Sequence, residues 1–260
     1  MQFRTKVDIK KGPWKIKYQD KVALLGSCFS DNMSRKMEEF YFQVTCNPTG
    51  TLYNPVSIAH HIDEVAPEAK VVIITFGTAW VYVDKTTGEV VDNCQKRPAA
   101  DFIRRRLTVD EIVALWRPIL ARYADRRFIF TVSPIRHIKD GLHENNLSKS
   151  ILLMSEEQLC DSGRIAYFPA YEIVMDELRD YRFYSDDMLH PSSVAITYIW
   201  QQFVEMFISA KTQKEMETLR ALWLDRNHRA LHPESAENEA FKKRIETELR
   251  ALQQIYPWLV

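Results

Sequence analysis

The chain has 260 residues, enough for one large α/β domain with a real core and marginal for two. Its 35 Lys plus Arg balance 35 Asp plus Glu, so the zero formal charge leaves no electrostatic footprint for nucleic acid or an anionic membrane. Apolar content of 46% and charged content of 27% are ordinary for a globular protein, and no apolar run approaches the ~18 residues that span a bilayer.

The segment Met1 to Lys10 has no apolar centre, so no signal peptide is expected and the cytoplasm is the expected location. The run Val22 to Leu25 predicts a short, fully apolar strand. An amphipathic helix is predicted after it, from about Ser30 to Phe42. Gln43 to Cys46 reads as a second strand, closed by the turn Asn47-Pro48-Thr49-Gly50. Pro55 opens a second helix, predicted to reach Val65. Val71 to Phe76 is apolar on both faces, as a central parallel strand must be.

Trp80 to Asp84 and Glu89 to Asp92 flank Lys85-Thr86-Thr87-Gly88, a β-hairpin signature inserted into the α/β rhythm. Arg104-Arg105-Arg106 is a short basic cluster and reads as a solvated face or a set of surface pairs. Thr108, with Glu111 three residues on, predicts a capped helix to about Tyr123. Arg127 to Val132 predicts a buried strand, Asn145 to Leu159 a helix, Arg164 to Phe168 a last strand and Tyr171 to Leu178 a short helix. Ser192 to Ser209 is a long apolar helix, and Thr212 to Asn227 and Ser235 to Ile255 are two more charged ones. The alternation predicts a doubly wound sheet of about five parallel strands with helices on both faces. One domain over 1–260 is expected, with a core of about 20–210 and a helical extension of about 211–260.

Cys28, Cys46, Cys94 and Cys160 are scattered without a C-x-x-C pair, which argues against a zinc or redox motif and for free thiols. Gly26-Ser27-Cys28-Phe29-Ser30 follows the first strand, where open α/β sheets present ligand-facing groups. A serine hydroxyl needs a base and a third group that fixes the base's tautomer. Asp187-Met188-Leu189-His190 supplies both on one loop, giving Ser27 as nucleophile, His190 as base and Asp187 as the orienting acid. Asp186 competes with Asp187 for that role. Ser27 has a second reading as a helix cap. Cys28 reads as a small buried hydrophobe, with a nucleophilic reading that would use the same His190. Oxyanion donors are expected from the Ser27 and Gly50 amides.

The block Gly26-Ser27-Cys28-Phe29 resembles the motif that gives the GSCFA family its name, a family grouped with the SGNH/GDSL hydrolases. Asn47-Pro48-Thr49-Gly50 with Tyr53-Asn54-Pro55, then Gly77, Ser133-Pro134-Ile135-Arg136-His137 and Asp187-x-x-His190 follow in the family's order. His228-Arg229 and Pro233 extend the likeness, which spans roughly residues 20 to 257. The resemblance implies a flavodoxin-like, three-layer α/β/α fold, a Ser–Asp–His triad, and no metal or organic cofactor. It also implies hydrolysis or transfer of an ester-linked acyl group, often on carbohydrate, and its spacing selects Asp187 over Asp186.

One departure stands out. The family's relatives place an asparagine after the third strand to complete the oxyanion hole, and here Gly77 is followed by Thr78, Ala79 and Trp80. The Thr78 hydroxyl is the expected substitute. Arg136 and His137 are candidates for substrate contact, with a loop ion pair as the other reading, and Trp80 is a candidate pocket wall. His60 and His61 read as surface residues. The leading expectation is a serine esterase acting on a small-molecule or carbohydrate ester. An acyltransferase shares its triad, and a silent sugar- or acyl-binding module is the alternative that the missing asparagine supports. The late helices offer a surface for a homodimer.

Overall fold

The computed structural model describes residues 4–92, 97–161 and 163–259; the free thiol expected at Cys94 lies outside them. Five parallel strands form the main sheet: β1 (Val22–Gly26), β2 (Val44–Cys46), β3 (Val71–Phe76), β7 (Arg127–Val132) and β8 (Ile165–Tyr167). Their order is β2-β1-β3-β7-β8. The register runs Val22 opposite Val44 and Val71, and Val71 opposite Arg127. This is the flavodoxin-like arrangement that was expected.

The pleat explains the layers, because successive side chains leave a strand on opposite faces. Val22, Leu24, Val71, Ile73 and Ile129 enter one core with Phe29, Met33 and Met37 of α1 (Cys28–Glu38) and Ile199 and Phe203 of α6 (Ser193–Phe207). Ala23, Leu25, Val72, Ile74, Phe128 and Phe130 enter the other. There they meet Ile58 of α2 (Pro55–His60), Trp116 of α3 (Val109–Arg122) and Leu152 of α4 (Leu142–Leu159). Both cores are sealed by large side chains, each worth about 1.5–3 kcal/mol when fully buried. Phe76, Trp116 and Phe130 meet as tilted and edge-on rings with centroids 5.3–5.5 Å apart, which stiffens the carboxyl ends of β3 and β7 from below.

Helices begin where the sequence provides caps. The side chains of Ser27, Asn54, Thr108 and Ser192 each accept a backbone N–H of the following turn. The Thr108–Glu111 capping box is reciprocal, as its spacing predicts. Because Ser27 is the cap, α1 starts at Cys28 and not at Ser30. The second predicted helix stops at His60 and continues as one 3₁₀ turn, Ile62–Glu64. The predicted helix after β8 is α5 (Ala170–Glu172) followed by one π turn, Ile173–Glu177.

The inserted hairpin is larger than expected. β4 (Trp80–Asp84) pairs antiparallel with β5 (Val90–Val91) and, on its other side, with β6 (Phe102–Arg106). The arginine cluster is therefore a strand. Arg104 stacks on Trp80 at 3.8 Å from the ring centroid and pairs with Asp140, while Arg105 and Arg106 reach Glu111 and Glu144. Helices α7 (Ala210–Arg226) and α8 (Ala236–Gln253) follow α6, and Met216 and Leu219 of α7 join the first core. Among the described residues no helix is long and apolar enough to cross a membrane.

Candidate active site

β1 connects through α1 on one face to β2, and β2 connects through α2 on the other face to β3. The crevice at such a reversal, beyond the strand ends, is where open sheets bind ligands. Gly26 makes the exit from β1. Its φ is +140°, and a Cβ there would stand 2.2 Å from the Thr75 carbonyl oxygen, so only glycine fits. Its N–H donates to Asn47 Oδ1 at 2.9 Å, and Asn47 Nδ2 donates to Asp31 of α1 at 2.8 Å. The turn after β2 thus braces the turn after β1.

At this turn the two small residues separate. Ser27 is 1% exposed, and its Oγ accepts the Phe29 N–H at 3.3 Å as the cap of α1. Among the described residues its hydroxyl has no bond to His190. Cys28, the first residue of α1, is half-buried, and its Sγ lies 3.5 Å from His190 Nε2. His190 Nδ1 lies 2.5 Å from Asp187 Oδ2. The contacts of the His190 ring thus run from Asp187 to Cys28, while Ser27 Oγ serves as the cap of α1. The capping reading of Ser27 is the one the structure shows.

The loop carrying acid and base is tied at both ends. Ser185 donates its N–H to the His190 carbonyl at 2.8 Å, and Tyr184 bridges to Pro191. Asp187 Oδ1 accepts the amides of His190 at 3.0 Å and Leu189 at 2.9 Å. Those two amides, followed by the imidazole, hold the Asp187 carboxyl down to about 2. The carboxylate on Nδ1 belongs to Asp187, and Asp186 is exposed. Burial pushes the Cys28 thiol up. The charges of Asp31 and Asp187 act in the same sense, against its own amide and the Lys149 ammonium. The thiol therefore needs a base to ionise near neutral pH.

The expected oxyanion donors are occupied. The Ser27 N–H donates to the Thr75 carbonyl at 3.3 Å, and the Gly50 N–H closes its own turn onto the Asn47 carbonyl at 2.9 Å. Gly50 is exposed, with nothing within 4 Å of where a Cβ would stand. The Thr78 hydroxyl accepts the Trp80 N–H and lies 3.1 Å from Ser148 Oγ. The amides of Gly77 and Thr78 both donate to the Tyr53 carbonyl. These contacts share one cause: strand ends and turns consume their own N–H groups.

Trp80 lies beneath Arg104 and Arg106 on the inserted sheet. Arg136 follows β7 and, among the described residues, forms no ion pair. It donates to the hydroxyls of Tyr184 at 2.8 Å and Tyr181 at 3.3 Å, stacks on both rings, and lines a cavity of about 170 Å³ beside the acid–base loop. His137 is packed edge-on against Tyr53, and burial, with the charges of Lys149 and His190, lowers its imidazole to about 4.

Lys149 was not foreseen. It is fully buried under this edge and donates to the carbonyls of Gly77 at 2.6 Å and Ser133 at 2.7 Å, tying the exits of β3 and β7 together. Burial lowers it to about 7, against the charges of Glu156 and Cys28. Glu156, also buried and with no hydrogen-bond partner for either oxygen among the described residues, has its carboxyl raised by burial and by Glu172. A lysine among helical polar residues gives no sign of this in sequence.

Comparison with known proteins adds the following. No curated protein matches the sequence. Solved structures similar in course include a mutant of an acetyl-xylooligosaccharide esterase from Geobacillus stearmophilus, at 11% identity, covering 75% of this chain and 98% of that one, with a TM-score of 0.47. A GDSL-like lipase from Bacteroides thetaiotaomicron matches at 12% identity, 78% and 90% coverage and a TM-score of 0.46. A lipase from a goat rumen metagenome matches at 13%, 71% and 96%, with a TM-score of 0.44. The GSCFA family profile matches residues 21–68 and 60–203, ending before the tail residues His228, Arg229 and Pro233. With the match running from β1 into α6, the chain belongs to the GSCFA family.

Proposed function

We propose that the protein is an acyl hydrolase or acyltransferase of SGNH topology whose nucleophile is the Cys28 thiol, not the Ser27 hydroxyl. One observation carries this reading: the unbroken line from Asp187 Oδ2 through the His190 ring to Cys28 Sγ, with contacts of 2.5 and 3.5 Å. Nδ1–H facing a carboxylate leaves Nε2 free to accept a proton, and the group it faces is the thiol.

In this reading His190 takes the Cys28 proton as sulfur attacks the carbonyl carbon of an ester. The tetrahedral intermediate collapses, the carbon–oxygen bond to the alcohol breaks, and His190 returns the proton to the leaving oxygen. A thioester remains on Cys28. Water, or an acceptor hydroxyl, is then deprotonated by His190 and releases the acyl group. An ester-linked acyl group on carbohydrate is the substrate class proposed.

The test is a panel of short-chain aryl esters and acetylated sugars, with intact-mass detection of the acyl-enzyme, for wild type, Ser27→Ala and Cys28→Ala. Turnover that survives Ser27→Ala, vanishes in Cys28→Ala and leaves the acyl group on the Cys28 peptide supports the proposal. The opposite pattern returns the role to Ser27. Ligand-induced stabilisation with no turnover of any ester would instead favour the silent binding module.

A further inference from the structure

We infer that His137 is the missing oxyanion donor, its Nε2–H taking the place that the absent asparagine after β3 leaves empty. The inference rests on the acyl-transfer reading above and adds a catalytic residue to it.

Four observations converge on this ring. The first is that His137 Nε2 is buried and, among the described residues, has no hydrogen-bond partner. Buried polar nitrogens are nearly always partnered, and the exceptions gather where a ligand atom supplies the missing bond. The second is position. A Cβ built on Gly77 would stand 3.5 Å from His137 Nε2 and 3.3 Å from Ser27 Cβ. The ring nitrogen therefore lies close to the turn that carries Cys28. The third is elimination. The amides of Ser27, Gly50, Gly77 and Thr78 all donate to protein carbonyls, and the Thr78 hydroxyl accepts the Trp80 N–H and pairs with Ser148 Oγ. Among the described residues His137 Nε2 stays unpartnered at this edge, as does Trp80 Nε1 on the inserted sheet, and the Cys28 amide opens α1.

The fourth is charge state. The buried Lys149 ammonium and the neighbouring His190 oppose a second proton on His137. A neutral imidazole donates a hydrogen bond without carrying a charge that would trap the thiolate before attack. The ring is held in place by its own backbone, whose N–H donates to the buried Asn145 Oδ1 at 3.0 Å, and by the edge of Tyr53. That tyrosine is 42% exposed, so its ring can yield to an entering acyl group.

As the sulfur–carbon bond forms, the carbonyl π pair moves to oxygen. That oxygen accepts hydrogen bonds from His137 Nε2–H and the Cys28 N–H. No proton leaves His137, and the pair returns to re-form the carbonyl when the leaving group departs.

The experiment compares wild type, His137→Leu, which fills the space without a donor, and His137→Gln, which reaches the same point with an amide N–H. Three readouts are taken: ester turnover, inhibition by a short-chain aldehyde that forms a hemithioacetal on Cys28, and alkylation of Cys28 by iodoacetamide, which builds no oxyanion. The expected result for His137→Leu is a kcat lower by about 10²–10³-fold, the usual loss for one oxyanion donor. Aldehyde affinity should fall at least tenfold, and alkylation should stay within about twofold. His137→Gln should recover most of the turnover.

Turnover by His137→Leu within about threefold of wild type would overturn the inference, as would an alkylation rate that falls in step with turnover. Should His137→Leu not fold, His137→Asn, too short to reach, must fail where His137→Gln succeeds. The two levels separate cleanly. A wild-type protein that turns over no ester, or whose turnover ignores Cys28, defeats the acyl-transfer reading. A Cys28-dependent enzyme indifferent to His137 defeats only the donor assignment.

Discussion

Asp187→Asn isolates the orienting carboxylate, because the structure separates its two oxygens. Oδ1 accepts the amides of Leu189 and His190 at 2.9 and 3.0 Å, and an asparagine carbonyl keeps both bonds, so the loop holds its shape. Oδ2 meets His190 Nδ1 at 2.5 Å. An NH₂ there donates, so Nδ1 must become the acceptor and the ring proton moves to Nε2. Nε2 then points a proton at the Cys28 sulfur and no longer accepts one. Where a buried acid is replaced this way the loss in kcat is about 10⁴-fold. Here the acid and base are about half exposed, so water can take the Nδ1 proton in part of the population, and about 10²–10³-fold is expected at pH 7.

The pH dependence sharpens the test. The Asp187 carboxyl is held at about 2, so its protonation leaves no inflection in a profile taken above pH 4. The Cys28 thiol is raised above its ordinary value. At pH 10 more of it ionises without help than at pH 7, so the gap between wild type and Asp187→Asn should narrow. Ester hydrolysis at the two pH values is the assay. A loss under threefold at pH 7, or an equal loss from Asp186→Asn, would refute the orientation argument.

Ser27→Ala removes the cap of α1 and, in this reading, nothing from the chemistry. About 1 kcal/mol of stability should go, seen as a lower urea midpoint with an unchanged slope, while the melting temperature falls by about 2–4 °C. Away from the site, His61 holds Glu64 at 2.7 Å and Asp92 at 3.0 Å, joining the helix α2 region to the end of β5. Burial opposes its protonation, but the hydrogen bonds and charges of Glu64 and Asp92 outweigh it, so its pKa is raised. The sign follows: this contribution is fully present below the unfolded-state value of about 6.5 and is lost as pH rises through the higher folded value. Subtracting the urea midpoints of His61→Gln from those of wild type between pH 5.5 and 8.5 should show that decline, and a flat difference would reject it.

The parallel sheet was legible because its central strands are mostly apolar on both faces, a pattern that two covering layers of helix demand. Val71 to Phe76 is buried throughout, and its odd and even members separate cleanly into the two cores. The third strand of the inserted sheet was not legible. Ile103-Arg104-Arg105-Arg106 looks like a charge cluster, and only its antiparallel pairing with β4 makes it a strand. The acid–base loop could be seen because three-residue spacing lets an aspartate reach both the following amides and the ring. The oxyanion donors could not, since residue types and spacing do not tell which N–H groups a turn will consume.

The choice between Ser27 and Cys28 turns on a local rule that the sequence contains but that composition does not reveal. When a strand runs straight into a helix, the last residue before the helix has an extended backbone and folds its side chain back to accept a first-turn N–H. Ser27 does this, with φ −67° and ψ 170°. The next residue is the first helical one and makes no such bond to the turn. Its side chain is free to stand at the open end of the sheet, next to orphan helix amides whose partial positive charge favours an anion. A hydroxyl is the better cap and a thiol the better nucleophile, so Gly-Ser-Cys assigns each group to the position its chemistry suits. Reversing the order, by Ser27→Cys with Cys28→Ser, should therefore weaken both the helix and the reaction, although the composition of the turn is unchanged.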